Sequence, residues 1–166
     1  MGKKGLISAS VAALAVLLCG ACSSGGCIDG RSGVPKVEFR SSATGAAIRL
    51  DSLRISGVGA PGDSAIIGVA TSTSFVNLPL KSDSHLTAWC ISYKQKALDY
   101  PQLNDTLTFE YDTTPYFVSD DCGVGFRYYI NNLSCTRHLI DSVELVEPLV
   151  TTVDQVYVSL YFRTQE

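Results

Sequence analysis

The sequence predicts an all-β protein: an antiparallel β-sandwich of immunoglobulin-like type, with about seven to nine strands, behind an N-terminal signal peptide. Three observations lead there. Past the first 35 residues, short runs of apolar–polar alternation are broken by turn residues at sandwich spacing. Thr, Ser, Val and Tyr are plentiful and Met is absent after residue 1, a composition that favours strands. No window of helical length past the leader shows a clean 3.6-residue period, and no internal repeat is visible.

Lys36 to Ser41 reads as the first strand. Ala46 to Gly57 is the second, with a phase slip between Leu50 and Leu53 that predicts a bulge or bend. Gly59-Ala60-Pro61-Gly62-Asp63 is a turn, Ser64 to Ala70 a strand, and Phe75 to Leu80 a short piece ending at Lys81-Ser82-Asp83. His85 to Lys94 alternates well, with Thr87, Trp89, Ile91 and Tyr93 on one face and Leu86, Ala88, Cys90 and Ser92 on the other. Thr106 to Asp112 turns Leu107, Phe109 and Tyr111 inward, and Tyr116 to Ser119 is a separate brief strand. Gly125 to Asn132 carries Phe126, Tyr128 and Ile130 on one face, Ile140 to Val146 follows, and Val156 to Phe162 closes the chain.

The leader is distinct. Met1-Gly2-Lys3-Lys4 is positively charged, Leu6 to Leu18 is apolar, and the run ends in Cys19-Gly20-Ala21-Cys22. A transmembrane helix needs about 20 apolar residues, so this run reads as a signal peptide. Gly20-Ala21-Cys22 resembles the end of a bacterial lipobox, with Cys19 where Leu is usual. The expectation is removal of residues 1–21, palmitate-type acylation of Cys22, a flexible tether over 22–35 and one domain over 36–166. The competing reading is an ordinary secreted protein cut near Ala21. The acidic run typical of surface-exported lipoproteins is absent after Cys22, which points to a periplasm-facing anchor in the outer membrane.

Cleavage leaves 145 residues, enough for one domain with its own core, and loss of Lys3 and Lys4 takes the net charge from −3 to −5. There is no basic block, which argues against nucleic acid and anionic headgroups as partners. Cys27, Cys90, Cys122 and Cys135 remain beside the anchor, and an oxidising compartment predicts two disulfides. A Cys122–Cys135 bond is disfavoured because the strand between them holds their Cα atoms roughly 30 Å apart. Two connectivities stay open, and the expectation leans to Cys27–Cys122 with Cys90–Cys135 over free buried thiols.

Chemistry-bearing motifs are scarce. A hydrolase needs a nucleophile, a base and an orienting acid, and the chain has only His85 and His138. Cys135-Thr136-Arg137-His138 offers two zinc-type ligands where a structural site takes four. Gly123-Val124-Gly125 is too short for a phosphate loop and precedes no helix. Asp112 and Asp120-Asp121 lack the spacing of a calcium loop. The expectation is no enzyme, no metal and no cofactor. Tyr129, Tyr157 and Tyr161 form a candidate aromatic face for a glycan or partner, against the plainer alternative of burial.

Five tripeptides read Asp, then Ser or Thr, then an apolar residue or Thr. They place candidate O-glycosylation at Ser52, Ser64, Thr106, Thr113 and Ser142. The pattern resembles the signal used on exported proteins of Bacteroides and relatives. Asp-Ser and Asp-Thr pairs that merely open strands after turns would produce the same pattern.

Asp105 to Asp112, Phe117 to Gly123, Phe126 to Ile130, Leu139 to Ser142 and Val156 to Phe162 together resemble a Bacteroidota lipoprotein family of unknown function, DUF6452. The likeness runs from about Val37 onward and contains no catalytic motif. It implies a small β-rich lipoprotein whose early Cys and later Cys-Gly are matched by Cys27 and Cys122-Gly123, and so implies a Cys27–Cys122 pair. Expected function follows: a non-enzymatic accessory lipoprotein docking on an outer-membrane barrel or other envelope assembly. The alternatives are a surface glycan-binding module and a pilus-type subunit.

Overall fold

A computed structural model describes residues 32–164 except 71 and 121. The predicted leader, Cys22 and Cys27 lie outside the described residues. Ten strands are present: β1 (Lys36–Ser41), β2 (Leu53–Gly57), β3 (Ala65–Ala70), β4 (Phe75–Asn77), β5 (Leu86–Tyr93), β6 (Asp105–Ser119), β7 (Gly123–Cys135), β8 (Ile140–Leu145), β9 (Leu149–Val150) and β10 (Val156–Phe162). Two 3-10 turns, Pro61–Asp63 and Pro101–Leu103, are the only helical pieces described. None is long and apolar enough to cross a membrane.

The strands form two sheets, ordered β4-β1-β10-β8 and β3-β2-β5-β6-β7-β9. Alternation explains the core between them. Val37 and Phe39 of β1 sit in register with Val158 and Leu160 of β10, and all four are fully buried. The larger sheet supplies Leu53, Ile55, Ile91, Leu107, Phe109 and Tyr111. Phe162 joins the layers, with its ring 5.5 Å from Phe39 in its own sheet and 6.4 Å from Tyr93 in the other, both edge to face.

The sandwich predicted by alternation is therefore the fold, and β1 and β10 match the expected bounds. The departures have local causes. The run Ala46 to Gly57 is not one strand: Ser52 takes a left-handed φ of 56°, and only Leu53 onward is β2. The earlier half bridges Arg40 at Ala47 and Thr73 at Leu50, so the phase slip marks where the chain crosses between sheets. The two predicted pieces, Thr106–Asp112 and Tyr116–Ser119, are one 15-residue strand. Pro115 does not break it, because β5 accompanies β6 only as far as Glu110 and leaves that edge open. β1 and β10 pair in parallel, which alternation alone does not reveal. Two-residue β9 is too short to show a period.

At the end of the expected tether, residues 33 and 35 already pack into the domain. Gly33 and Pro35 are buried, and Gly33 donates to the Phe126 carbonyl at 2.8 Å. A Cβ on Gly33 would lie 2.8 Å from the Val150 carbonyl oxygen, so only glycine fits.

Candidate functional site

Asp105 opens β6 and is fully buried. Five donors converge on its carboxylate. Oδ1 accepts from the Thr136 hydroxyl at 2.9 Å and the His138 backbone N–H at 2.8 Å. Oδ2 accepts from the Tyr93 hydroxyl at 2.8 Å and from the Leu139 and Ile140 N–H groups at 3.0 Å each. Residues 136–139 carry the chain from β7 in one sheet to β8 in the other. Successive N–H groups aimed at one anion make a nest, and full pairing offsets the cost of burying the charge. Asp105 thus ties the sheet crossover to β6. Sequence reading treated it as the first residue of a glycosylation tripeptide. The missed signal is parity: Asp105 shares the inward phase of Leu107, Phe109 and Tyr111, where a carboxylate must find partners.

This burial sets the local electrostatics. Burial, and then the Asp105 charge, raise the Tyr93 phenol far above its ordinary value. The folded state therefore holds that proton where the unfolded chain releases it. The contribution to stability is fully present below about pH 10 and fades above it, by up to about 1.4 kcal/mol per pH unit. Urea unfolding followed from pH 9 to 11.5 is expected to show this decline, and Tyr93→Phe should flatten part of it. An unchanged slope in that variant would rule out the assignment. Burial and Asp105 also raise the Cys135 thiol, against a lowering by Arg137, which leaves it a poor nucleophile.

Cys90 and Cys135 are free, which corrects the expected bond between them. Cys90 is paired with Thr106 and Cys135 with Leu107, so β6 lies between them. Two inter-strand steps amount to about 9.6 Å, beyond disulfide reach. The two also point to opposite faces, since Cys135 lies opposite inward Leu107 and Cys90 alternates with inward Trp89 and Ile91. Cys122 is disulfide-bonded.

The candidate tyrosine face is not one surface. Tyr157 is fully buried, and its hydroxyl donates to the Val153 carbonyl at 2.9 Å, pinning the 151–155 loop. Tyr161 lies on β10 and donates to Glu144 at 2.6 Å, whereas half-exposed Tyr129 is on β7 in the other sheet. The glycosylation tripeptides diverge as well. The Thr113 hydroxyl oxygen is shut from solvent, Asp105-Thr106 is tied into the crossover, and Ser52 and Ser142 are half-buried. Ser64 is exposed. His85 and Asp112 are both exposed and lie 3.8 Å apart, while His138 is exposed in the crossover. No three His, Cys, Asp or Glu side chains cluster as a metal set among the described residues.

The feature most able to meet a partner is an arm. β6 and β7 pair from Leu107–Cys135 to Ser119–Gly123, but β9 accompanies β7 only at Tyr128 and Tyr129. Beyond those neighbours β7 meets the 32–33 segment at Phe126, and from there to the turn the two strands extend as a hairpin. Their inward-phase pairs continue as Thr113–Tyr128, Pro115–Phe126 and Phe117–Val124. Tyr128 is buried and Phe126 half-buried, but Phe117 is 66% exposed and Val124 51%. The apolar stripe of the core thus outruns the sheet that covers it. On the other face, the Arg127 guanidinium stacks 4.5 Å over the Tyr116 ring and stiffens the hairpin. The N-terminal segment enters beside the arm, where the Phe126 N–H donates to Ser32 Oγ at 3.1 Å.

Fold and site define a class: a small β-sandwich with an internal carboxylate tie and a protruding apolar-flanked hairpin. Residues 52–162 match the family of unknown function DUF6452, and the chain belongs to that family. The match begins after β1, later than the residue-level likeness suggested. No curated protein and no solved structure matches the chain.

Proposed function

We propose that the protein is a non-enzymatic accessory lipoprotein of the bacterial outer membrane. In this reading it belongs to a member of the Bacteroidota, is held by acylated Cys22 and faces the periplasm. It docks through the β6–β7 arm on an outer-membrane barrel or another envelope assembly. The observation that supports docking is the apolar flank Phe117–Val124, left outside the sandwich beside the point where the N-terminal segment enters. Cys22 and Ser32 are ten positions apart, a span of at most about 35 Å. An anchor at Cys22 therefore keeps the arm close to membrane-embedded partners and raises its effective concentration there. The glycan-binding reading loses its basis, because its three tyrosines do not share a face.

The test is a native pull-down of C-terminally tagged protein from detergent-solubilised outer membranes, with mass spectrometry of the eluate. A stoichiometric barrel or envelope complex is expected. The double variant Phe117→Glu, Val124→Glu is expected to weaken capture about thirtyfold while the domain still folds, because both side chains are exposed. Protein that elutes alone, or full capture by the double variant, would remove the docking assignment.

A further inference from the structure

A cleft of about 370 Å³ lies between the β2–β3 turn and the 79–81 connection, with Thr87 and Trp89 of β5 in its wall. Its volume falls at the lower end of small-molecule sites, about 300–1,000 Å³. Val58, Pro61, Ile66, Pro79, Leu80 and Trp89 make it mainly apolar. Val58 and Ile66 are about half exposed at 51% and 44%, so apolar surface continues outward from the cleft. Among the described residues, Lys81 is the charged side chain that lines it.

The wall is rigid. The Tyr111 hydroxyl accepts from the Lys81 N–H at 2.9 Å and donates to the Lys81 carbonyl at 2.9 Å. It also meets the Thr87 hydroxyl at 2.6 Å. The Tyr128 hydroxyl donates to the Leu80 carbonyl at 3.2 Å. Two tyrosines of the larger sheet thus fix the backbone that carries Lys81. Trp89 is more than nine-tenths buried, and its indole N–H has no acceptor among the described residues.

We propose that this cleft binds a single-chain anionic amphiphile, a medium-chain fatty acid, with the alkyl chain against the apolar wall and the carboxylate at Lys81. The apolar lining accepts methylenes and offers no array of polar groups for a sugar. The Lys81 ammonium favours a ligand that carries one negative charge. A fixed wall keeps the ordering cost of binding small.

Trp89 is the sole tryptophan and reports on its own wall. Dodecanoate, kept below its micellar concentration, is titrated into the mature protein while Trp89 emission is followed. A saturable change is expected. Lys81→Glu should weaken dodecanoate by about tenfold or more, leave neutral dodecanol within about twofold, and leave the melting temperature unchanged, because Lys81 is exposed. Three results overturn the proposal: no response of Trp89 to dodecanoate, equal dodecanoate affinity in Lys81→Glu, or a response driven by an apolar peptide that dodecanoate does not displace. The last would assign the cleft to a protein partner.

Discussion

Asp105→Ala is expected to cost about 3–5 kcal/mol of stability, a fall in melting temperature of roughly 10–20 °C for a domain of this size. The alanine leaves the N–H groups of His138, Leu139 and Ile140 and the hydroxyls of Tyr93 and Thr136 without their shared acceptor. Each buried donor left unpaired costs about 1–3 kcal/mol, and some will regain water as the crossover loosens. Asp105→Asn should fall between wild type and alanine. Its amide oxygen can keep three of the donors, while its NH₂ group confronts the rest. A second readout is independent of stability: with the Asp105 charge gone, the Cys135 thiol should move back toward its ordinary pKa and react faster with a thiol reagent at pH 8. Urea unfolding and thiol-reaction rates check both. A cost under about 1 kcal/mol for the alanine would mean that the crossover is held by something else.

Phe39→Ala is expected to cost a similar amount, about 3–5 kcal/mol, for a different reason. Phe39 is fully buried in β1, the strand whose parallel pairing with β10 holds the smaller sheet together. Its ring meets Phe162, and Phe162 meets Tyr93, the phenol bonded to Asp105. Removing the ring opens a cavity between the layers that the surrounding strands cannot close, because each is fixed by its ladder. Tyr129→Ala serves as the control. It removes a ring that is half in solvent, and it should change stability by about 0.5 kcal/mol or less. Equal losses at Phe39 and Tyr129 would contradict the assignment of the core.

Most of the sandwich was legible because strand periodicity is a local property. Thr87, Trp89, Ile91 and Tyr93 share a phase in the sequence and share the buried face of β5. The phase slip at residues 50–53 was visible too, although its meaning, a crossing between sheets at Ser52, was not. The docking flank was half legible. Phe117 falls in a brief predicted strand with no face assigned and Val124 before the predicted start of the next one, and nothing local says that the covering sheet ends before it reaches them. For the tyrosines the alternative of burial holds at Tyr157: Tyr157 and Tyr161 share a strand phase, but the 151–155 loop covers only Tyr157.

The sequence by itself determined the strand class, the buried face of the well-alternating strands such as β5, the absence of a helical layer among the described elements and, as an expectation, the leader ending at Cys22. These depend on side-chain period and composition over fewer than about ten residues. Tertiary structure alone decided the parallel β1–β10 pair, the free state of Cys90 and Cys135, the reach of the arm and the role of Asp105. Each of these joins positions that are remote in the chain. Asp105 waits for donors at 136–140, and β1 finds its partner more than a hundred residues later. A carboxylate has no inherent fate in a strand: whether it is solvated or gathers five donors is settled by which loop the fold lays across it.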